Sequence, residues 1–130
     1  MSNKLPNYQE KQHILHVKHH SDKDLIAYGD AFLEEGKISD AIDFYQKANY
    51  VHGLENIKRM AEQSGDVMVL QQLMKPLRQA ITEKTWNATG QSALELRKYL
   101  FALYAFEKVN NEDMARRTKE IMKSEEDGKH

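Results

Sequence analysis

Three histidines near the N-terminus have the residue type and spacing that could bind a metal ion. His13, His16 and His20 are separated by three and four residues, so they share one face if the segment is helical. Imidazole nitrogen is a good ligand for zinc or nickel, and a His-based metal-dependent enzyme is therefore one hypothesis. No Asp, Glu or Cys completes the set at firm spacing, which favours a polar edge before the first helix. We predict no metal and no other cofactor.

Other catalytic patterns do not occur in the sequence. It has no phosphate-binding loop, no glycine-rich dinucleotide turn, no His-Glu-x-x-His and no Gly-x-Ser-x-Gly. The acidic residues are interspersed with Lys and Arg, a pattern typical of pairs one helical turn apart. Arg116 and Arg117 form a basic run that is offset by Glu120 and the acidic C-terminus. We therefore predict neither an enzyme nor a nucleic-acid-binding protein.

Composition limits the remaining classes of protein. The chain has 130 residues, 19 basic and 20 acidic side chains, a net charge of -1, 40% hydrophobic residues and no cysteine. This length suits one domain, and the missing cysteine excludes disulfides. The charge balance argues against broad binding to a phosphate backbone. No apolar run reaches the roughly 20 residues of a membrane span. With no apolar N-terminal signal, we predict a soluble cytoplasmic protein that does not bind membranes.

Apolar periodicity predicts helices throughout the chain. The first strong helix begins after Ser21 and ends at Gly36 in a left-handed turn. Ser39 is the predicted cap of the next helix. In a second helical pair, residues 64–66 form the turn with Asp66 as the cap. Pro76 interrupts an apolar face that continues on both sides, which predicts a kink near Lys75.

A third helical pair is predicted after a loop at residues 85–90. Its helices cover residues 91–109 and 112–123, with Asn110 and Asn111 at the turn. Residues 99–106 are apolar on nearly every side, so this stretch is either buried between helices or forms a dimer or partner surface. The predicted domain covers residues 21–124, between an N-terminal arm (1–20) and a disordered tail (125–130).

Similar residues recur along the chain. Aligning Gly36 with Gly65 pairs apolar positions on both sides of the two glycines. Matching Ala41 to Ala115 suggests a further unit over residues 92–124. A glycine inside a helix costs roughly 1 kcal/mol relative to alanine, so Gly29 indicates a helix packed closely against it. The fold predicted is all-α, with about three stacked antiparallel helical hairpins.

The pattern of the first hairpin resembles a tetratricopeptide repeat, and the residues that carry the resemblance are Leu25, Tyr28, Gly29, Phe32, Gly36, Ala41, Tyr45 and Ala48. The resemblance implies an α-α superhelix whose first helices line a concave groove that binds a peptide or helix of a partner protein, as an adaptor, scaffold or chaperone-like module. The residues implied for the groove are Lys23, Ile26, Asp30, Leu33, Asn56, Arg59, Glu62, Arg97, Phe101 and Tyr104. Some members of the family hold a peptide carboxylate with Lys, Asn and Arg, but Ile26 and Asp30 stand at two of those positions. The alternatives are a solvated face and a self-associating, homodimeric protein that uses residues 99–106.

Overall fold

The computed structural model describes residues 5–17 and 19–128, and in this part of the chain all regular structure is helical. The helices are α1 (Tyr8–His16), α2 (Asp22–Glu34), α3 (Ile38–Lys47), α4 (Val51–Ser64), α5 (Val67–Leu73), α6 (Glu83–Glu95), α7 (Tyr99–Lys108) and α8 (Glu112–Asp127), with a 3-10 turn at Arg78–Ala80. Neighbouring helices pack together, α2 with α3, α6 with α7 and α7 with α8. The prediction of an all-α stack of helical hairpins is therefore confirmed. None of the described helices is both long enough and apolar enough to cross a membrane.

Five tight turns between the described helices share one backbone geometry. Each contains a residue with positive φ: Gly36, Asn49, Gly65, Arg97 or Asn110. In the first of these turns the amide of Lys37 donates to the carbonyl of Phe32 at 2.9 Å and that of Gly36 to Leu33 at 3.0 Å. This arrangement satisfies the last helical carbonyls and reverses the chain within a few residues. Gly36 and Gly65 adopt this backbone without the steric cost that other residues incur.

Packing divides the chain into two compact units, residues 1–56 and residues 57–130. In the first unit, the ring of Phe44 stacks on Phe32 and on Tyr28, each with centroids 5.4 Å apart. Helix α1 is attached to α3 by Lys11, whose Nζ donates to Asp40 Oδ1 and to Asp43 Oδ2, both at 2.7 Å. Lys11 is 8% exposed, and this buried contact explains why part of the predicted arm is an ordered helix. Residues 1–4 and 18 of that arm lie outside the described residues.

One buried cluster of the second unit lies between α6, α7 and α8. Ala93, Ala102, Phe106 and Ala115 form a buried cluster, on which Phe101 and Leu103 pack. Helix α8 continues to Asp127, beyond the predicted end of the last helix, and Tyr99 Oη donates to Glu125 Oε1 at 2.5 Å. That hydrogen bond attaches residue 125 of the predicted tail to α7. Residues 129 and 130 lie outside the described residues.

Helices α2 and α3 recur later in the chain as α6 and α7. One constant shift in residue number moves Asp22–Glu34 onto Glu83–Glu95 and Ile38–Lys47 onto Tyr99–Lys108, with no change in the length of either helix. We call this alignment the hairpin register. It also takes the first residue of α4, Val51, to the first residue of α8, Glu112. The positive-φ residues follow the same register, Gly36 to Arg97 and Asn49 to Asn110. The two units therefore contain the same hairpin followed by the same turn.

Three local predictions are wrong. Residues 85–90 belong to α6, which begins after Thr82 as a cap, and residues 91–109 form parts of two helices because the chain reverses at Arg97. The repeat predicted over residues 92–124 is therefore aligned out of register. The chain does not kink at Lys75, since α5 ends at Leu73 and Pro76 lies in the turn that follows.

Predictions about helix starts had mixed outcomes. Ser21 Oγ accepts from the Asp24 amide at 3.2 Å, and Asp66 Oδ1 accepts from the Val69 amide at 3.1 Å, so both caps are confirmed. Ser39 is wrong as a cap, because α3 begins one residue earlier, at Ile38, with Lys37 before it. The Schellman-type turn at Gly36 fixes this start without a side-chain cap.

Candidate protein-binding surface

Helix α2 presents one face inward and one outward. Its buried residues are Leu25, Gly29 and Phe32. Four residues predicted for the groove lie between these buried positions: Lys23 and Asp30 are exposed, whereas Ile26 and Leu33 are half-buried. They follow one another at three- and four-residue intervals, so they lie along one side of the helix. This side is the α2 face, and it combines one cation, one anion and two aliphatic side chains.

Asp30 is held in place from the neighbouring helix. Tyr45 of α3 is 1% exposed, and its Oη donates to Asp30 Oδ1 at 2.5 Å. The ring can come this close because residue 29 is glycine: a Cβ there would lie 2.5 Å from Tyr45 Cε1. Burial, and then the hydrogen bond to the Asp30 carboxylate, raise the pKa of Tyr45 well above its ordinary value. The phenol therefore stays protonated and orients the Asp30 carboxylate.

The second unit repeats this contact with one difference. A Cβ at Gly90 would lie 2.8 Å from Phe106 Cε1, so Gly90 and Phe106 occupy the places of Gly29 and Tyr45 in the hairpin register. Phe106 has no hydroxyl group, and the residue at the position of Asp30 is Gln91. The Nε2 of Gln91 donates to Glu95 Oε1 at 3.4 Å instead. The close helix crossing is thus kept, while the hydrogen bond to the outward face is not.

Helix α6 carries an outward face that the sequence analysis missed. Its residues are Lys84, Asn87, Gln91 and Leu94, and their exposure follows the order seen in α2, exposed, half-buried, exposed and half-buried. Asn87 Oδ1 accepts from Asn111 Nδ2 at 2.9 Å, so the residue that caps α8 fixes this amide. The recurrence of Gly29 as Gly90 is the signal in the sequence that could have revealed this α6 face.

Three residues predicted for the groove stand elsewhere than expected. Arg97 is exposed in the turn between α6 and α7, with φ of 62°. Phe101 and Tyr104 lie on α7, the second helix of its hairpin rather than the first. Phe101 packs on the buried cluster of the second unit, and Tyr104 Oη donates to Gln71 Oε1 of α5 at 3.0 Å. The structure therefore does not place these three residues on a first-helix face.

The remaining residues predicted for the groove lie on α4. Asn56 belongs to the first unit, while Arg59 and Glu62 belong to the second. Asn56 and Glu62 are half-buried and Arg59 is exposed. The carboxylate of Glu62 lies 3.9 Å from Lys58 Nζ, one turn earlier on the same helix. Glu62 thus already has a cation beside it.

The three histidines do not share one helix. His13 and His16 are in the last turn of α1, while His20 follows α1 in the connection to α2. The His20 ring meets the ring of Tyr28 edge-on, with centroids 6.1 Å apart. The condition for a shared face, one helix through all three histidines, is therefore not met. Across residues 5–17 and 19–128 the structure brings together no group of three or more His, Cys, Asp or Glu side chains that could hold a metal ion.

The two first-helix faces share one pattern of exposure, and they are the candidate surfaces for a partner protein. Comparison of the chain with protein-family models, with curated proteins and with solved structures finds no match.

Proposed function

We propose that this chain is a protein-interaction module of the tetratricopeptide type, which binds a peptide or helix of a partner protein. The binding residues we propose are those of the α2 face and the α6 face. The observation that carries the proposal is the repetition of one hairpin in the two units, with the same glycine-to-ring contact and the same order of exposure on its first helix.

The chemistry of the two faces favours recognition of a peptide. Each face places an ammonium group, from Lys23 or Lys84, beside half-buried side chains and a polar group one or two turns along the helix. Leu33 and Leu94 supply apolar contact, and amide or carboxylate groups can pair with a peptide backbone or side chain. Binding energy at such surfaces is concentrated in a few side chains at well-packed positions.

The α2 face argues against a simple clamp for a peptide carboxylate. The Asp30 carboxylate is oriented by Tyr45 and would repel an incoming carboxylate at close range. Its preferred partner is a cationic or hydrogen-bond-donating group. The α6 face is neutral at this position because Gln91 replaces Asp30. We therefore propose that the two faces favour different chemical groups, with a cationic group favoured on the α2 face.

The experiment begins with co-purification from the native source and identification of partners by mass spectrometry. Overlapping peptides from each partner are then screened on an array, and the strongest binder is titrated by fluorescence anisotropy. We expect Asp30→Asn to weaken about tenfold the binding of peptides that contact the α2 face, and Lys84→Glu that of peptides that contact the α6 face, the range of one lost charged contact. Lys47→Glu, at an exposed position on the second helix α3, is the matched control and should bind as the unaltered chain does.

Two results would contradict the proposal. One is unchanged affinity in both face variants for every peptide that binds. The other is an affinity that falls equally in the face variants and in Lys47→Glu, since this would show a general charge effect. Circular dichroism of each variant verifies that the helices are intact.

A further inference from the structure

Helix α7 exposes apolar side chains on the surface of the second unit. Leu100 is 71% exposed and Tyr104 is 43% exposed. They are four residues apart, so they lie on the same side of the helix, about 6 Å apart along its axis. Leu96, in the turn just before α7, is also 53% exposed. We call Leu100 and Tyr104, together with Arg97 just before α7 and Glu107 near its end, the α7 face.

The apolar character of the α7 face is not a requirement of the hairpin. The hairpin register places Leu100 at the position of Ser39 and Tyr104 at the position of Asp43. The first unit thus builds a hairpin with helices of the same lengths while using polar residues at both positions. The hairpin itself therefore does not require apolar residues at these two positions, and neighbouring exposed apolar groups can mark a contact surface.

Helix α5 extends the apolar surface beside the α7 face. Tyr104 Oη donates to Gln71 Oε1 at 3.0 Å, which brings α5 and α7 together at this point. Met68 lies one turn before Gln71 on α5 and is 59% exposed. Tyr and Met are enriched at interfaces. The surface thus has exposed apolar groups beside a tyrosine whose hydroxyl is hydrogen-bonded to α5.

Charges at the two ends of α7 indicate which partner fits. Arg97 stands three residues before Leu100, and Glu107 stands three residues after Tyr104, both exposed. Opposite charges three residues beyond either end of the Leu100–Tyr104 pair give this surface a charge order that is complementary to itself under a two-fold rotation. In an antiparallel pairing about residue 102, Leu100 of one copy meets Tyr104 of the other, and Arg97 meets Glu107. Glu107 also lies 4.0 Å from Lys119, an exposed and loose contact that leaves it able to reorient.

We propose that the α7 face pairs antiparallel with the same face of a second copy of this chain, forming a two-fold symmetric dimer. Both contacts occur twice because of the symmetry, and the antiparallel arrangement also places opposite helix ends side by side. This dimer uses α7, a second helix of its hairpin, so the proposal does not depend on the proposed peptide-binding faces.

The experiment measures molar mass by light scattering and sedimentation over a wide range of protein concentration. We expect a monomer–dimer equilibrium that reaches twice the chain mass. Leu100→Ser introduces the residue that α3 has at the equivalent position, so the hairpin tolerates it. We expect it to raise the dimer dissociation constant at least about tenfold, as for loss of a central apolar contact. Val51→Ser, at an apolar position on α4 that is 55% exposed, is the control and should leave the constant unchanged.

Charge exchange tests the antiparallel register. Arg97→Glu and Glu107→Arg, made singly, each bring two pairs of like charges together and should weaken the dimer. The two changes combined restore opposite charges across the two-fold axis, and we expect the dimer to recover. A chain that is monomeric at all concentrations, or a dimer insensitive to Leu100→Ser, would overturn the proposal. Failure of the combined variant to recover would overturn the antiparallel pairing, and circular dichroism verifies folding in each case.

Discussion

The contact between Gly29 and Tyr45 predicts that a single methyl group destabilises the first unit. In Gly29→Ala the new Cβ would lie 2.5 Å from Tyr45 Cε1 and 2.7 Å from Cδ1. The ring cannot withdraw easily, because its hydroxyl is bound to Asp30 and its opposite edge faces Gly53, where a Cβ would stand 2.9 Å from Tyr45 Cδ2. The backbones of α2 and α3 must therefore separate to accept the methyl group.

The expected magnitude combines two opposing terms. Overpacking of a core costs about 1–3 kcal/mol, whereas replacing a helical glycine by alanine stabilises by about 1 kcal/mol. Because the Tyr45 ring is held on both sides, the cost of overpacking lies near the upper end of its range. We therefore expect Gly29→Ala to lower the free energy of unfolding by about 1–2 kcal/mol. At about 4 °C per kcal/mol this lowers the Tm by about 4–8 °C.

The assay is urea and thermal unfolding followed by far-ultraviolet circular dichroism. Ala27→Gly, at an exposed position of the same helix, measures the backbone term alone and should cost about 1 kcal/mol. Gly90→Ala should destabilise less than Gly29→Ala, since its Cβ stands 2.8 Å from Phe106 and that ring has no hydroxyl to hold it. Trp86, the sole tryptophan and 3% exposed, reports unfolding of the second unit by fluorescence. A Gly29→Ala variant as stable as the unaltered chain would refute the reasoning.

Two further predictions concern charge and backbone strain. Burial lowers the pKa of Lys11, but its bonds to Asp40 and Asp43 outweigh this and raise the pKa above its ordinary value of 10.5. The stability that the charged Lys11 contributes is therefore present below about pH 10.5 and is lost as the pH rises above it. Lys11→Met should lower the free energy of unfolding in urea by about 1–2 kcal/mol at about pH 8, a figure reduced because the two carboxylates are partly exposed, and by less at about pH 11. An equal loss at both pH values would contradict this reasoning. Arg97→Gly should raise the Tm because φ of 62° strains a residue with a Cβ. Gly36→Ala should lower the Tm for the same reason. A lower Tm in Arg97→Gly and a higher Tm in Gly36→Ala would show that these turns are unstrained.

Local chemistry explains which elements could be predicted from the sequence. Ser21 and Gly36 delimit α2 because a capping hydroxyl and a glycine in the left-handed region act within one turn of the helix end. Asp66 acts in the same way at the start of α5. The turn at Arg97 carries no such signal, since arginine is unfavourable at positive φ. The contacts beside that turn come from residues distant in sequence, and one of them is the Lys98 ammonium group, which donates to the carbonyl of Ser64 at 2.6 Å.

The α6 face was missed because the turn at Arg97 was not predicted. When residues 91–109 are interpreted as one helix, matching Ala41 to Ala115 places the third repeat too late in the chain and sets Leu103 at the position of Gly29. That register satisfies the apolar pattern, because amphipathic helices of similar length match one another at many offsets.

The glycine-to-ring contact does not allow the same freedom. A leucine at the position of Gly29 would drive its side chain into the aromatic ring of the facing helix, so a large side chain cannot occupy that crossing. The interval in sequence from Gly29 to Tyr45 is the same as the interval from Gly90 to Phe106, and each glycine lies against the ring at the end of its interval. The steric demand of a close helix crossing therefore determines the repeat register more strictly than hydrophobic periodicity does, and it identifies α6 as the counterpart of α2.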